Sequence, residues 1–148
     1  MNQAPHFIAP GFAARAMNRF YGLLTGLGLG PSHSYLLEVT GRRTGKIRTM
    51  PVNVLKYEGK LFLVATRGHT QWSRNVLALQ QVTLKRGRVR LEFSLRLIED
   101  AEKPEILKAY LNRFYWMVWR FFPVPRGSPA VAFAAIAAHY PVFELIRA

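Results

Sequence analysis

Between residues 34 and 98 apolar and polar side chains alternate in short runs separated by polar, glycine-containing turns. Tyr35, Leu37 and Val39 alternate with Leu36, Glu38 and Thr40, the period expected of a strand with two unlike faces. The pattern predicts strands over 34–40, 46–57, 60–65, 82–86 and 89–98, with turns at Glu58-Gly59-Lys60 and Gly87-Arg88. Leu61-Phe62-Leu63-Val64-Ala65 is apolar at every position, as a strand buried on both faces would be. A short helix is expected over 71–80, with Thr70 as its N-cap.

Two longer stretches repeat every three to four residues instead. Over 12–24 the apolar Phe12, Ala13, Ala16, Met17, Phe20, Tyr21, Leu23 and Leu24 oppose a strip of Arg15, Asn18, Arg19 and Gly22, which predicts an amphipathic helix ended by Gly26, Gly28, Gly30 and Pro31. Over 100–121 Ile106, Leu107, Tyr110, Leu111, Phe114, Met117, Val118 and Phe121 form one face, with Tyr115, Trp116 and Trp119 on another. One face packs; the second suits a pocket, a subunit contact or a lipid surface. A loop over 122–129, an alanine-rich helical run to Tyr140 and a closing strand over 141–146 complete the chain. Antiparallel hairpins with an inserted helix predict an α+β protein, a small antiparallel barrel flanked by helices, not a doubly wound sheet. The 148 residues suit one domain, 1–148, without an internal repeat or linker.

Charge narrows the partners. The chain carries 21 Lys and Arg against 8 Asp and Glu, a net charge of +13, which points to a polyanion: nucleic acid, an anionic membrane surface or an acidic small molecule. Cysteine is absent, which removes disulfides and thiolate metal sites. The four histidines lack ligand spacing, so no metal site is expected. No secretory signal and no transmembrane span is legible, so the expected location is cytoplasmic, with a peripheral contact at the inner face of the membrane through 12–24 as an extension of that reading.

The densest chemistry is Gly41-Arg42-Arg43-Thr44-Gly45-Lys46-Ile47-Arg48-Thr49-Met50-Pro51-Val52, four cations and two glycines at a turn between strands. On spacing alone it reads either as a solvated hairpin tip or as a turn whose amides and cationic heads hold an anion. Nucleophile elbows, phosphate-binding loops and carboxylate pairs are all missing. An enzyme built from these residues would leave the difficult chemistry to a bound cofactor.

The turn resembles the signature of the deazaflavin-dependent nitroreductase family, in which a G-R-[RK]-[ST]-G-x-x-R-x-x-P segment binds coenzyme F420. The likeness continues through Leu63-Val64-Ala65-Thr66-Arg67-Gly68 and Trp72-Ser73-Arg74-Asn75-Val76 to His139-Tyr140-Pro141-Val142-Phe143, covering roughly residues 17–147 in order. It implies the split β-barrel shared with FMN-binding oxidoreductases, and often a homodimer. It also implies hydride transfer from reduced F420 to a small activated acceptor: a nitro compound, a quinone or an enone. By that resemblance Arg42, Arg43 and Thr44, with Lys46 nearby, would hold the phosphate and acidic tail. Arg48, Thr49, Met50, Pro51, Val52 and Asn53 would run along the cofactor body. Ala65, Thr66, Arg67 and Gly68 would line the ring's other edge, with Thr66 the candidate catalytic hydroxyl. Trp72, Ser73, Arg74, Asn75 and Val76 would close over the cofactor, and Tyr110 or Tyr115 would face substrate. The chain has Thr66-Arg67 where members often have Ser-Lys, and only His69-Thr70-Gln71 where the best-known members have a longer loop.

Three other readings stand beside this one: an FMN-binding split barrel with the same cations on a shorter phosphate, a non-catalytic cofactor carrier, and a basic barrel that binds nucleic acid through Arg86, Arg88 and Arg90. The last lacks the aromatics interleaved with cations on strands that single-strand binding requires.

Overall fold

In the computed structural model, residues 33–147 are described; the helix expected over 12–24 lies outside them. Seven strands follow in the order β1 Ser34–Thr40, β2 Ile47–Asn53, β3 Leu55–Tyr57, β4 Lys60–Val64, β5 Gln81–Arg86, β6 Val89–Leu97 and β7 Val142–Arg147. Helix α1, Gln71–Leu79, joins β4 to β5; α2, Lys103–Val118, and α3, Ala130–Ala134, lie between β6 and β7. All pairings are antiparallel, in the sheet order β2-β1-β5-β6-β7-β4-β3.

That order fixes the shape. β2 and β3 lie at opposite edges of the sheet, yet only Val54 separates them in the chain. The sheet must therefore curl until its edges meet, and the seam is closed by covalent chain where a full barrel would use a ladder. Val54 anchors the crossing: its side chain is buried and its N–H donates to the His33 carbonyl at 2.9 Å. The single strand expected over 46–57 is thus two strands on opposite edges. Alternation cannot reveal the break, because Val52 and Val54 stay in phase across it.

Two cores result. Leu37, Val39, Val54, Leu63, Val76, Val82, Leu84, Phe93, Leu95, Phe143 and Leu145 fill the inside of the curl. Phe62, Val64 and Val142 face the other way, onto Ile106, Leu107, Tyr110, Leu111, Phe114 and Val118 of α2. β4 is therefore buried on both faces, as its unbroken apolar run predicts. Each such fully buried side chain contributes about 1.5–3 kcal/mol.

Helix α2 is shorter than the expected 100–121, with 3₁₀ turns at Asp100–Glu102 and Trp119–Phe121 and non-helical angles at Phe114 (φ −115, ψ 25). Both its ends are tied to the chain preceding β7. The Lys103 ammonium, buried, donates to the Ala137 carbonyl at 3.1 Å and pairs with Asp100 at 2.7 Å. At the other end the Tyr140 hydroxyl donates to the Phe121 carbonyl, and its ring stacks on Phe122 at 4.7 Å. The second aromatic face faces outward, with Trp116 81% and Trp119 53% exposed. The alanine-rich run makes only five residues of α-helix and a 3₁₀ turn, Ala137–His139, because few of its side chains have apolar mass to bury. No described helix is long and apolar enough to cross a membrane.

Candidate functional site

The basic turn between β1 and β2 is closed by its own backbone. Gly41 N–H donates to the Lys46 carbonyl at 2.8 Å, and Gly45 N–H to the Gly41 carbonyl at 3.0 Å. Gly45 sits at φ 70, where a side chain would be strained. At Gly41 the objection is space: an added Cβ would lie 2.8 Å from Thr44 Oγ1 and 3.3 Å from the Lys46 carbonyl. Thr44 Oγ1 in turn accepts from the Lys46 N–H at 3.3 Å.

Helix α1 braces this turn. Thr70 caps it, its Oγ1 accepting from the Ser73 N–H at 3.4 Å. Asn75 and Gln71, one turn apart on the helix, both receive Arg42. Asn75 Oδ1 takes the Arg42 N–H at 3.1 Å and its guanidinium at 2.7 Å, and Gln71 Oε1 takes the same Nη1 at 3.0 Å. Arg42 is thereby spent on holding the turn to the helix. Arg43, Lys46 and Arg48 are exposed and enter no ion pair among the described residues; Arg74, half-buried, likewise enters none. Between Glu38 and Glu92 the only acid is Glu58, so the local field is strongly positive.

A second turn follows β4. Ala65 N–H donates to the Pro141 carbonyl at 2.9 Å, Gly68 N–H returns to the Ala65 carbonyl at 3.1 Å, and Gly68 takes φ 86. Thr66 and Arg67, half-buried, project from this fixed loop. The Arg67 guanidinium lies 4.6 Å from the Phe121 ring centre, and that of Arg120 lies 5.2 Å from the same ring. Partial burial, and then the Arg120 charge, hold Arg67 below the usual guanidinium value.

The expected residues divide into two groups. Arg43, Thr44, Lys46, Arg48, Thr49, Met50, Pro51, Val52, Asn53, Thr66, Arg67, Trp72, Arg74 and Tyr115 are exposed or half-buried. Ala65, Gly68, Ser73, Asn75, Val76 and Tyr110 are turned into the protein. Ser73 gives its hydroxyl to the Thr70 carbonyl at 3.0 Å, and Val76 belongs to the inner core. Tyr110, expected to face substrate, is 3% exposed, packed edge-on to Phe114 at 4.9 Å, and its ionisation is pushed up by burial against an opposing hydrogen bond from Asn53. It therefore presents no surface to a substrate; Tyr115 is half-buried, with the Arg126 guanidinium 5.2 Å from its ring centre. Gln71, Arg120 and Phe121 were not expected. The contacts of Gln71 with Arg42 and of Phe121 with Arg67 span dozens of residues, which spacing does not carry, and Arg120 lies against its neighbour Phe121.

These features are compatible with one class of ligand: an anion long enough to need several cations, approached closely by a glycine-lined backbone. A family profile described as F420H(2)-dependent quinone reductase matches residues 13–115. The chain belongs to the F420H(2)-dependent quinone reductase family. It is an F420-dependent oxidoreductase with coenzyme F420 as its cofactor. Similar solved structures agree on the fold. An F420-H2 dependent reductase, FDR-A, is 23% identical over 77% of this chain and 94% of its own, with a TM-score of 0.52. The heme storage protein HutZ from Vibrio cholerae is 11% identical over 88% and 87%, with a TM-score of 0.54. The Agrobacterium tumefaciens protein Atu2129, of unknown function, is 20% identical over 98% of this chain and 58% of its own, also at 0.54. A comparison with curated proteins returns no match. The curled antiparallel sheet with its helices is thus the split-barrel type implied by the resemblance.

Proposed function

We propose that the protein passes a hydride from reduced F420 to a small quinone-like acceptor, with nitro compounds and enones as weaker acceptors. The observation that carries this is the brace of Arg42 on Asn75 and Gln71, beside a glycine-lined turn where Arg43, Lys46 and Arg48 enter no ion pair among the described residues. A phosphodiester followed by carboxylates fits that cation set. Arg43, Lys46, Arg48 and Arg74 would hold the tail; Pro51, Val52 and Trp72 would bound the ring; Thr66 would donate a hydrogen bond beside it. When bound, the reduced cofactor supplies the hydride, and the chain supplies position and a water-poor wall.

The test is reoxidation of reduced F420, followed by absorbance, with a naphthoquinone, a nitroimidazole and a cyclohexenone offered separately. Fastest turnover with the quinone is expected. Cofactor that binds yet is reoxidised by none of the three would leave a carrier and refute the catalytic reading.

Two partner readings remain proposals. The exposed Trp116 and Trp119, with Arg113, Arg120 and Arg126 and no acid over 106–143, favour contact with an anionic membrane surface, the source of a lipid-soluble quinone. A homodimer is the second; one similar structure, 22% identical over 90% of this chain and 92% of its own with a TM-score of 0.54, is described as a domain-swapped dimer.

A further inference from the structure

His33, the residue before β1, stands where the curled sheet closes. Its carbonyl accepts from the Val54 N–H at 2.9 Å, the bond that anchors the crossing from β2 to β3. Its neighbour Ser34 is the register partner of Asn53, the last residue of β2. Its ring lies 4.8 Å from that of Phe114, tilted by 51°, at the point where α2 departs from helical angles. The side chain of His33 thus meets α2 while its backbone holds the seam.

The ring is suited to one charge state. An imidazolium carries an N–H on both nitrogens, and each of them needs an acceptor or water. Nε2 of His33 is buried and has no hydrogen-bond partner among the described residues. The charges that act on the ring are cations. Arg113, on α2, has its guanidinium 5.3 Å from the same Phe114 ring, and Arg86, at the end of β5, donates to the Ser34 carbonyl at 2.7 Å. Asn53 and Val54 bring no charge, and Tyr110 on α2, raised by burial, stays neutral at physiological pH. Burial first, then Arg113 and Arg86, hold the imidazole below its usual value of 6.5. A protonated ring finds an acceptor for Nε2 only by leaving Phe114 for water, and its movement strains the bond from Val54.

We propose that His33 is a positioning residue that makes cofactor binding sensitive to acid: neutral, it packs on Phe114 and holds the Val54 crossing and the end of β2; protonated, it releases them. Its effect on F420 rests on the proposed place of β2 along the cofactor; the acid response of the seam does not. An unfolded histidine takes up its proton near pH 6.5 and the folded one only at lower pH. Stability from this group is therefore complete above about pH 6.5 and is lost as pH falls through the lowered folded value.

The test compares the full chain with His33→Phe and His33→Gln, neither of which can take a proton, from pH 8 to 5 at constant ionic strength. Calorimetric titration gives the Kd of F420, and the ratio of variant to parent cancels the ligand's own ionisation. Thermal unfolding without cofactor follows the seam, and proton NMR follows the imidazole itself. Between pH 7.5 and 5.5 the parent's Kd should rise about tenfold more than that of either variant, and its Tm should fall about 3 °C further. The His33 resonances should titrate with a midpoint below 6.5. A midpoint at or above that value, or variants that lose stability and affinity with acid as steeply as the parent, would overturn the proposal. Variants whose stability no longer responds to acid, but whose F420 affinity still does, would keep the seam device and remove β2 from the cofactor. No F420 binding at any pH would refute the cofactor reading instead, with the thermal and NMR measurements still deciding the seam. If His33→Phe does not fold, His33→Gln carries the same comparison.

Discussion

Asn75 Oδ1 accepts from two atoms of one arginine, the Arg42 backbone N–H at 3.1 Å and its guanidinium at 2.7 Å. One buried amide thus fixes both the path of the basic turn and the direction of its first cation. Replacing it by alanine leaves a half-buried donor unmet, a cost of about 1–3 kcal/mol. Asn75→Ala is expected to lower thermal stability by that amount and to weaken F420 about tenfold through the misplaced turn. Asn75→Asp separates the two effects. It keeps both acceptor contacts and so keeps stability, but it introduces a carboxylate into the positive field and still loses affinity. Thermal unfolding with a cofactor titration checks both; an alanine variant that binds like the parent would show the brace to be idle. The sequence showed Arg42 and Asn75 as members of one constellation but not as partners. They are 33 residues apart, and a site resemblance lists residues without saying which of them hold one another.

At the scale of elements, the strands and α1 were legible because their periods and turn residues are local properties. Two features were not. The Val54 crossing, which closes the sheet, keeps the strand's alternation unbroken. The inward turn of Tyr110 depends on which stripe of an aromatic helix meets the sheet, and both stripes of α2 are apolar enough to do so. Packing chose Ile106, Leu107, Tyr110, Leu111, Phe114 and Val118, and left Trp116 and Trp119 outside. Tyr140 bolts the end of α2 to the chain entering β7, and burial pushes its hydroxyl up to about 12. An unfolded tyrosine ionises near 10, so the unfolded state releases its proton first as pH rises. Stability from this group is complete below pH 10 and is lost between about 10 and 12. Tyr140→Phe should cost about 1 kcal/mol at neutral pH, from the unmet Phe121 carbonyl, and flatten the alkaline loss of stability over that window. Denaturant unfolding from pH 8 to 11.5 measures it, and an unchanged alkaline slope in the variant would contradict the assignment.

For the whole molecule, a charge of +13 and a curled sheet set the function more than any one catalytic side chain does. The acids are few, and half of the eight are paired with cations among the described residues. Glu38 pairs with Arg90 at 2.7 Å, and Glu144 with Lys60 at 3.6 Å and Arg96 at 3.5 Å, all on the sheet. The turn after β1 is left positive. Composition alone could not choose between a nucleic acid, a membrane and a small anion, because net charge has no geometry. The order of motifs along the chain, with the family they belong to, made that choice. The central claim is that this turn holds an anionic cofactor tail, and a fluorescence titration of F420 into the full chain, Arg43→Ala and Arg48→Ala, at about 50 and 300 mM salt, tests it most directly. Micromolar binding by the parent is predicted, weakening with salt, and about tenfold weaker in each variant with folding unchanged. No micromolar binding by the parent, or variants that bind as it does, would contradict the account.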